Sequence, residues 1–312
     1  MPDNHQHHDH KHGHHHGYPH AHHHETDNIK IAILLNVSFT ILEFIGGFFS
    51  NSVAIMSDAV HDLGDSIVLI FSFFSERVAE KSKSNSKYTF GYQRLPLISA
   101  FVNATVLIVG SGFILLHAIE RLQNPEPVNI KIMLPIAVVG VLVNGAAVFR
   151  LKKNKGVNSK VMYLHLLEDA LGWIAVLIGG IVMHFTNLLI IDPIMSIAIA
   201  GYILFNAAKN ARYVYEIVMQ RSPTDINPDK IIDTISSFDE VLGISDFHFW
   251  SLEGSKHVMT LHILVNELSK NEIILLKKKV KEEVKSYGTI HLTLELDFED
   301  EVNEDHCISN ER

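Results

Sequence analysis

The sequence predicts an α-helical integral membrane protein with six transmembrane helices and a C-terminal α+β domain. Three observations carry this. Apolar residues make up 47% of the 312, and mean hydropathy is positive at +0.16. The charged 20% is unevenly spread, leaving long stretches between residues 29 and 208 with almost no charge. From about residue 213 the pattern changes to short helical and alternating segments of a soluble domain. A helix crossing the hydrocarbon core needs about 20 mostly apolar residues, and the long stretches meet that length.

Residues 1–28 hold twelve of the 21 histidines and no pattern that could build a packed core, so disorder is expected there. No basic region followed by an apolar run marks a secretory signal, and the first apolar helix is expected to stay in the chain. Six apolar segments follow at roughly 29–50, 53–75, 95–119, 130–150, 161–183 and 188–208, which places the membrane domain at 29–210. The loop after the second segment holds Arg77, Lys81, Lys83, Lys87 and Arg94. The loop after the fourth holds Arg150, Lys152, Lys153, Lys155 and Lys160. Lys and Arg gather in cytoplasmic loops, so both basic loops, and with six spans both termini, are expected in the cytoplasm.

Residues 213–300 read as helix, strand, strand, helix, strand, with 301–312 as a tail. In the last strand Ile290, Leu292, Leu294, Leu296 and Phe298 share one face, and His291, Thr293, Glu295 and Asp297 share the other. Cys307 is the only cysteine, which excludes an intrachain disulfide framework. A net charge of −9 argues against nucleic-acid binding.

The second apolar segment contains "MSDAVHDLGDS", with Asp58, His61, Asp62 and Asp65 at helical positions i, i+3, i+4 and i+7, one stripe. Ionisable groups in a span are costly and normally face a protein interior or a water-filled path. The fifth segment repeats the device: His165 and Asp169 stand i,i+4 apart, as do His61 and Asp65. Two such helices facing each other supply two imidazoles and two carboxylates, a nitrogen–oxygen set that suits tetrahedral Zn2+. Asp58, Asp62 and Glu168 read either as partners that orient the histidines or as groups lining an aqueous path. Glu43 and Asp192 read as helix-packing groups. An intramembrane hydrogen-bond network is the plainer alternative, and the cost of burying these groups favours the metal reading.

At these residues the chain resembles the cation diffusion facilitator family. "NSVAIMSDAVHDLGDS" is similar to its second-helix motif, "YTFGYQRLPLISAFVNA" to its run entering the third helix, and "HLLEDALGW" to its fifth-helix motif. The resemblance covers residues 29 to about 300. It implies a homodimeric exporter in the cell membrane that exchanges Zn2+ for protons, and a cytoplasmic domain of ferredoxin-like, metallochaperone-like fold. The zinc-type motif maps onto His61, Asp65, His165 and Asp169. Two departures are Pro96, where an acid is common, and Glu168, where a small residue is usual. By local context His248, His262 and Glu295 match the family's cytoplasmic metal ligands, His291 could compete with Glu295, and Cys307 of the terminal "DHC" joins the candidates. The loop between the second and third helices has no His, Asp or Cys in "AEKSKSNSKYTFGYQ", so a further site found there in some members is expected to be absent. The N-terminal histidines could gather metal near the entrance.

Histidine suits such a role because its ordinary pKa of about 6.5 lies near physiological pH, and metal and proton compete for one lone pair. Partners on this reading are divalent metal ions, protons, the lipid bilayer and a second copy of the chain, with no enzymatic activity. Three rival readings are a broader Cd2+, Co2+ or Ni2+ exporter, a passive metal channel and a metal sensor. A metalloprotease is disfavoured because no His-Glu-x-x-His motif is present.

Overall fold

The structure is a computed structural model that describes residues 22–81, 86–151 and 157–298. Residues 1–21 of the His-rich segment, the tail 301–312 with Cys307, and parts of both basic loops lie outside the described residues, whereas residues 22–28, expected to be disordered, are helical and open the first helix.

Six long helices come first: α1 (His22–Ser50), α2 (Val53–Lys81), α3 (Leu95–Gln123), α4 (Ile130–Leu151), α5 (Val157–Thr186) and α6 (Ile191–Val218). Five of them are long and apolar enough to cross a membrane. The exception by composition is α2, equally long at 29 residues, whose apolar run is interrupted by Asp58, Asp62 and Asp65. It packs against α1, α3, α5 and α6, so its carboxylates are enclosed by the other helices instead of facing lipid. The outward surface is apolar, with Phe48, Phe113, Phe185 and Phe205 each more than two-thirds exposed, as a bilayer-facing surface requires.

Lipid tails are as apolar as leucine, so close backbone approach holds such helices together. A Cβ on Gly140 of α4 would stand 2.1 Å from the Trp173 ring of α5, and one on Gly64 of α2 would stand 2.6 Å from Asn103 of α3. Trp173 is thereby seated directly on the α4 backbone and is only 1% exposed.

The C-terminal domain follows as α7 (Pro228–Ser236), β1 (Val241–Ser251), β2 (His257–Val265), α8 (Lys270–Ser286) and β3 (Ile290–Phe298), the predicted helix–strand–strand–helix–strand order. The sheet order is β1-β2-β3, with β1 antiparallel and β3 parallel to β2. A parallel neighbour needs a crossover, which α8 supplies. Its start is fixed by a capping box in which Ser269 accepts from the Glu272 N–H and Glu272 accepts from the Ser269 N–H. One sheet face packs Met259, Leu261 and Ile263 against Ile231 and Ile235 of α7 and Leu276, Val280 and Val284 of α8. Period-2 alternation then sends His248, His262 and Glu295 to the uncovered face.

Candidate metal centres

In the membrane bundle α2 and α5 bring their paired residues together. His165 Nε2 lies 2.9 Å from Asp65 Oδ2 and 3.8 Å from Asp169 Oδ2. His61 Nε2 lies 3.5 Å from Asp169 Oδ1 and 4.0 Å from Asp65 Oδ2. The two imidazole rings are 5.7 Å apart, edge to face. Ligand atoms of His61, His165 and Asp169 all lie within 4.8 Å of one another. With metal–ligand bonds of about 2.0–2.1 Å, donor atoms around tetrahedral Zn2+ stand about 3.3 Å apart. The His–carboxylate separations bracket that value; Asp65 stands outside the three-residue set and joins it through its 2.9 Å contact with His165.

The helix period decides this geometry. Four residues advance an α-helix by little more than one turn, so His61 and Asp65 project from one face of α2, and His165 and Asp169 from one face of α5. Polar ties hold α2 in place along α1: Asn36 Nδ2 donates to Ser66 Oγ at 3.0 Å and to the Asp62 carbonyl at 3.3 Å. A cavity of about 250 Å³ reaches the centre and is lined by Asp58, His61, Glu168, Asp169 and Tyr202 among others. Asp58 and Glu168 thus face the space leading to the pairs, whereas Asp62 is buried in the helix packing. Glu43 is completely buried in α1.

Asp192, read from the sequence as a packing group, does defined work. Its carboxylate accepts from Ser52 Oγ at 2.6 Å, the Val53 N–H at 2.9 Å and the Ala54 N–H at 3.4 Å. Helix α2 therefore starts with its orphan N–H groups capped by a residue 139 positions away.

On the uncovered face of the C-terminal sheet a second group converges. His262 pairs with Glu295 in the β2–β3 register, and its Nε2 lies 3.5 Å from Glu295 Oε2. Its Nδ1 lies 3.3 Å from Asp297 Oδ2. His248 does not reach this group directly. Its Nε2 lies 2.8 Å from Asp246 Oδ1, and Asp246 Oδ2 stands 3.9 Å from His262 Nε2. Asp246 and Asp297 are the two residues that the sequence reading left out of this set. Asp297 was visible on the Glu295 face by alternation. Asp246 is placed by a register shift between Ile244 and Phe247, where β1 carries an extra residue opposite His262. The ring of His291 packs edge to face with Phe90 of the α2–α3 loop, with centroids 5.3 Å apart.

Residues 29–219 match the family described as cation efflux transmembrane domain, and residues 223–299 match its cytoplasmic domain. The chain belongs to the cation efflux family. This family comprises transporters, so the chain is not an enzyme. Among curated members of the cation efflux family, the chain is 32% identical to the cadmium, cobalt and zinc/H(+)-K(+) antiporter of Bacillus subtilis over 276 residues, covering 86% of this chain and 88% of the relative. It is 32% identical to the zinc transporter ZitB of Pectobacterium atrosepticum over 281 residues, covering 88% and 86%. It is 26% identical to the metal cation efflux system protein CzcD of Cupriavidus metallidurans over 273 residues, covering 87% and 86%. The cation efflux assignment agrees with the resemblance read from the α2 and α5 motifs, and with the membrane bundle followed by a mixed three-stranded sheet.

Proposed function

We propose that this cation efflux protein carries Zn2+ out of the cytoplasm in exchange for protons, using His61, Asp65, His165 and Asp169 to hold the ion in transit. The observation that carries the reading is the convergence of these four side chains from α2 and α5 inside an otherwise apolar bundle. Two neutral imidazoles and two carboxylates balance the charge of a divalent ion, which offsets the cost of placing either alone in the membrane. Protons arriving from the far side compete for the same lone pairs and release the metal. Rocking of the bundle around a fixed midplane site then gives alternating access.

The names of the relatives support zinc as cargo and proton antiport as the mode. They also favour a second reading, a broader exporter that takes Cd2+ and Co2+, since one relative is named for those metals. The basic loops support a cell-membrane protein with both termini in the cytoplasm. A homodimer is supported by the match of residues 223–299 to a cytoplasmic domain family named for its dimerisation. His262, Glu295 and Asp297, with Asp246 and His248 beside them, form a second candidate ion site in the cytoplasm. Asp58, Asp62 and Glu168 serve as outer partners of the transport site or as its approach.

Uptake of Zn2+ into inverted membrane vesicles, with and without an imposed pH gradient, tests the reading. Asp65→Ala and Asp169→Ala should abolish uptake while the protein still inserts, and Asp62→Asn should reduce it only modestly. An inactive Asp62→Asn beside a fully active Asp65→Ala would overturn the four-residue site. Metal flux indifferent to the pH gradient would overturn antiport.

A further inference from the structure

A polar cluster at the end of the bundle remote from the cytoplasmic domain is used by none of the chemistry above. Helix α6 leads into the cytoplasmic domain at its C-terminal end, so its N-terminal end, at Asp192, lies at the opposite face of the bundle. The turn between α1 and α2 is at that face too, since Asp192 caps it. On its other side the same turn is held by Arg121, near the end of α3. Arg121 Nη1 donates to the Asn51 carbonyl at 2.6 Å, and Nη2 donates to Asn51 Oδ1 and pairs with Glu126 Oε2 at 2.9 Å. Asn51 Nδ2 returns a hydrogen bond to Glu126 at 3.1 Å, and the Asn129 N–H of the α4 approach donates to the Ser50 carbonyl at 2.7 Å. Asn51 holds the left-handed backbone, φ 55°, that turns α1 directly into α2.

The two ties differ in kind. Asp192 is 0% exposed, and no water can take over its bonds as they part. Arg121 is only 6% exposed, but its partner Glu126 has a side chain 56% exposed at the solvent edge. The hydrogen bond from Asn51, then the charge of Arg121, hold the Glu126 carboxyl below its ordinary pKa, so the tie is charged on both sides at neutral pH. Its release exchanges protein partners for water at one end. Directly inside the turn, Ala54 is 0% exposed and packs with Met133 of α4 and Trp173 of α5.

We infer that Arg121, through Asn51 and Glu126, is a positioning residue that latches the far-side entrance of the transport path shut, and that its release lets the outer end of α2 part from α3 and the α3–α4 loop. This rests on the transport reading above, because α2 carries His61 and Asp65. Weakening the latch lowers the fraction of protein that faces the cytoplasm. The apparent affinity for cytoplasmic metal then falls in the same proportion.

The test uses the full chain with Cys307→Ser, which removes the only cysteine, and Ala54→Cys as reporter. In right-side-out vesicles, labelling of this thiol by a membrane-impermeant maleimide should be slow in the parent. It should rise on the order of tenfold in Arg121→Ala, which removes the guanidinium's bonds to Asn51 and Glu126, water replacing them at the exposed end. Arg121→Lys, which keeps the charge but cannot reach three acceptors as a planar fork, should fall between them. In inverted vesicles the half-saturating Zn2+ level should rise too, by the smaller factor in which the cytoplasm-facing fraction falls, with the maximal rate held. A merely structural role would lower the amount of active protein, and so the maximal rate alone. Should Arg121→Ala fail to insert, Asn51→Gly carries the test, since glycine accepts the positive φ while removing the side-chain bonds. Labelling that stays at the parent level in inserted variants overturns the latch. The labelling step needs no transported metal, so its outcome is separate from the identity of the cargo.

Discussion

Asp192→Asn is a near-isosteric change that isolates what the cap on α2 contributes. In the parent, Oδ1 accepts from Ser52 Oγ and the Ala54 N–H, and Oδ2 accepts from the Val53 N–H. An amide supplies one oxygen and one NH2 group, so whichever way it turns, a donor faces a donor. If the oxygen stays with Ser52, the Val53 N–H loses its partner in a site that is 0% exposed at Asp192 and 3% exposed at Val53. The loss of a hydrogen bond to a charged group is about 1.5–3 kcal/mol, and a buried unsatisfied donor adds about 1–3 kcal/mol. The two costs overlap, so the expected loss is about 3 kcal/mol, or roughly 10 °C in the melting midpoint of a domain of about 200 residues. The assay is thermal melting in detergent followed by the fluorescence of Trp173, with Trp250→Phe removing the only other tryptophan. Ser52→Ala, which deletes one donor and leaves the carboxylate bound to the backbone, should cost clearly less. A midpoint for Asp192→Asn within about 2 °C of the parent would refute the reasoning, because it would mean that the buried carboxylate contributes no more than an amide to the start of the ligand helix.

Two further outcomes follow from the candidate metal centres. His61→Asp replaces a borderline nitrogen by a hard oxygen, so vesicle uptake in competition should show Mn2+ gaining relative to Zn2+, and an unchanged ranking would remove His61 from direct contact with the ion. In the cytoplasmic domain, His262→Ala should lower the metal retained per chain after equilibrium dialysis of the full-length protein. Asp297→Asn, which keeps the shape at 3.3 Å from His262 Nδ1, should weaken retention by about 10–100-fold if it orients that ring, and retention equal to the parent in both variants would show that the cluster holds no ion.

Local periodicity made much of this protein legible before any fold was known. The i,i+4 spacing of His61 with Asp65 and His165 with Asp169 follows from the helix period alone, and so does the stripe that adds Asp58 and Asp62. The alternation in β3 likewise put Glu295 and Asp297 on one face and Leu294 and Leu296 on the other, as the sheet shows. Apolar length marked the spans, and α2 was legible as a sixth only because its acids fell on one stripe of an otherwise apolar run. What the tertiary structure decided is every contact that joins residues far apart in the chain. Only packing brought Asp65 to 2.9 Å from His165, a hundred residues later. Only the irregular register of β1 carried Asp246 between His248 and His262. Asp192 read as a packing group in sequence and Arg121 drew no reading there; they became a cap and a tie because the start of α6 and the end of α3 meet the same turn. The physical reason is one of range. Periodicity and propensity act over a helical turn or two residues of strand, whereas partners for buried polar groups are fixed only when the whole bundle closes and excludes water from them.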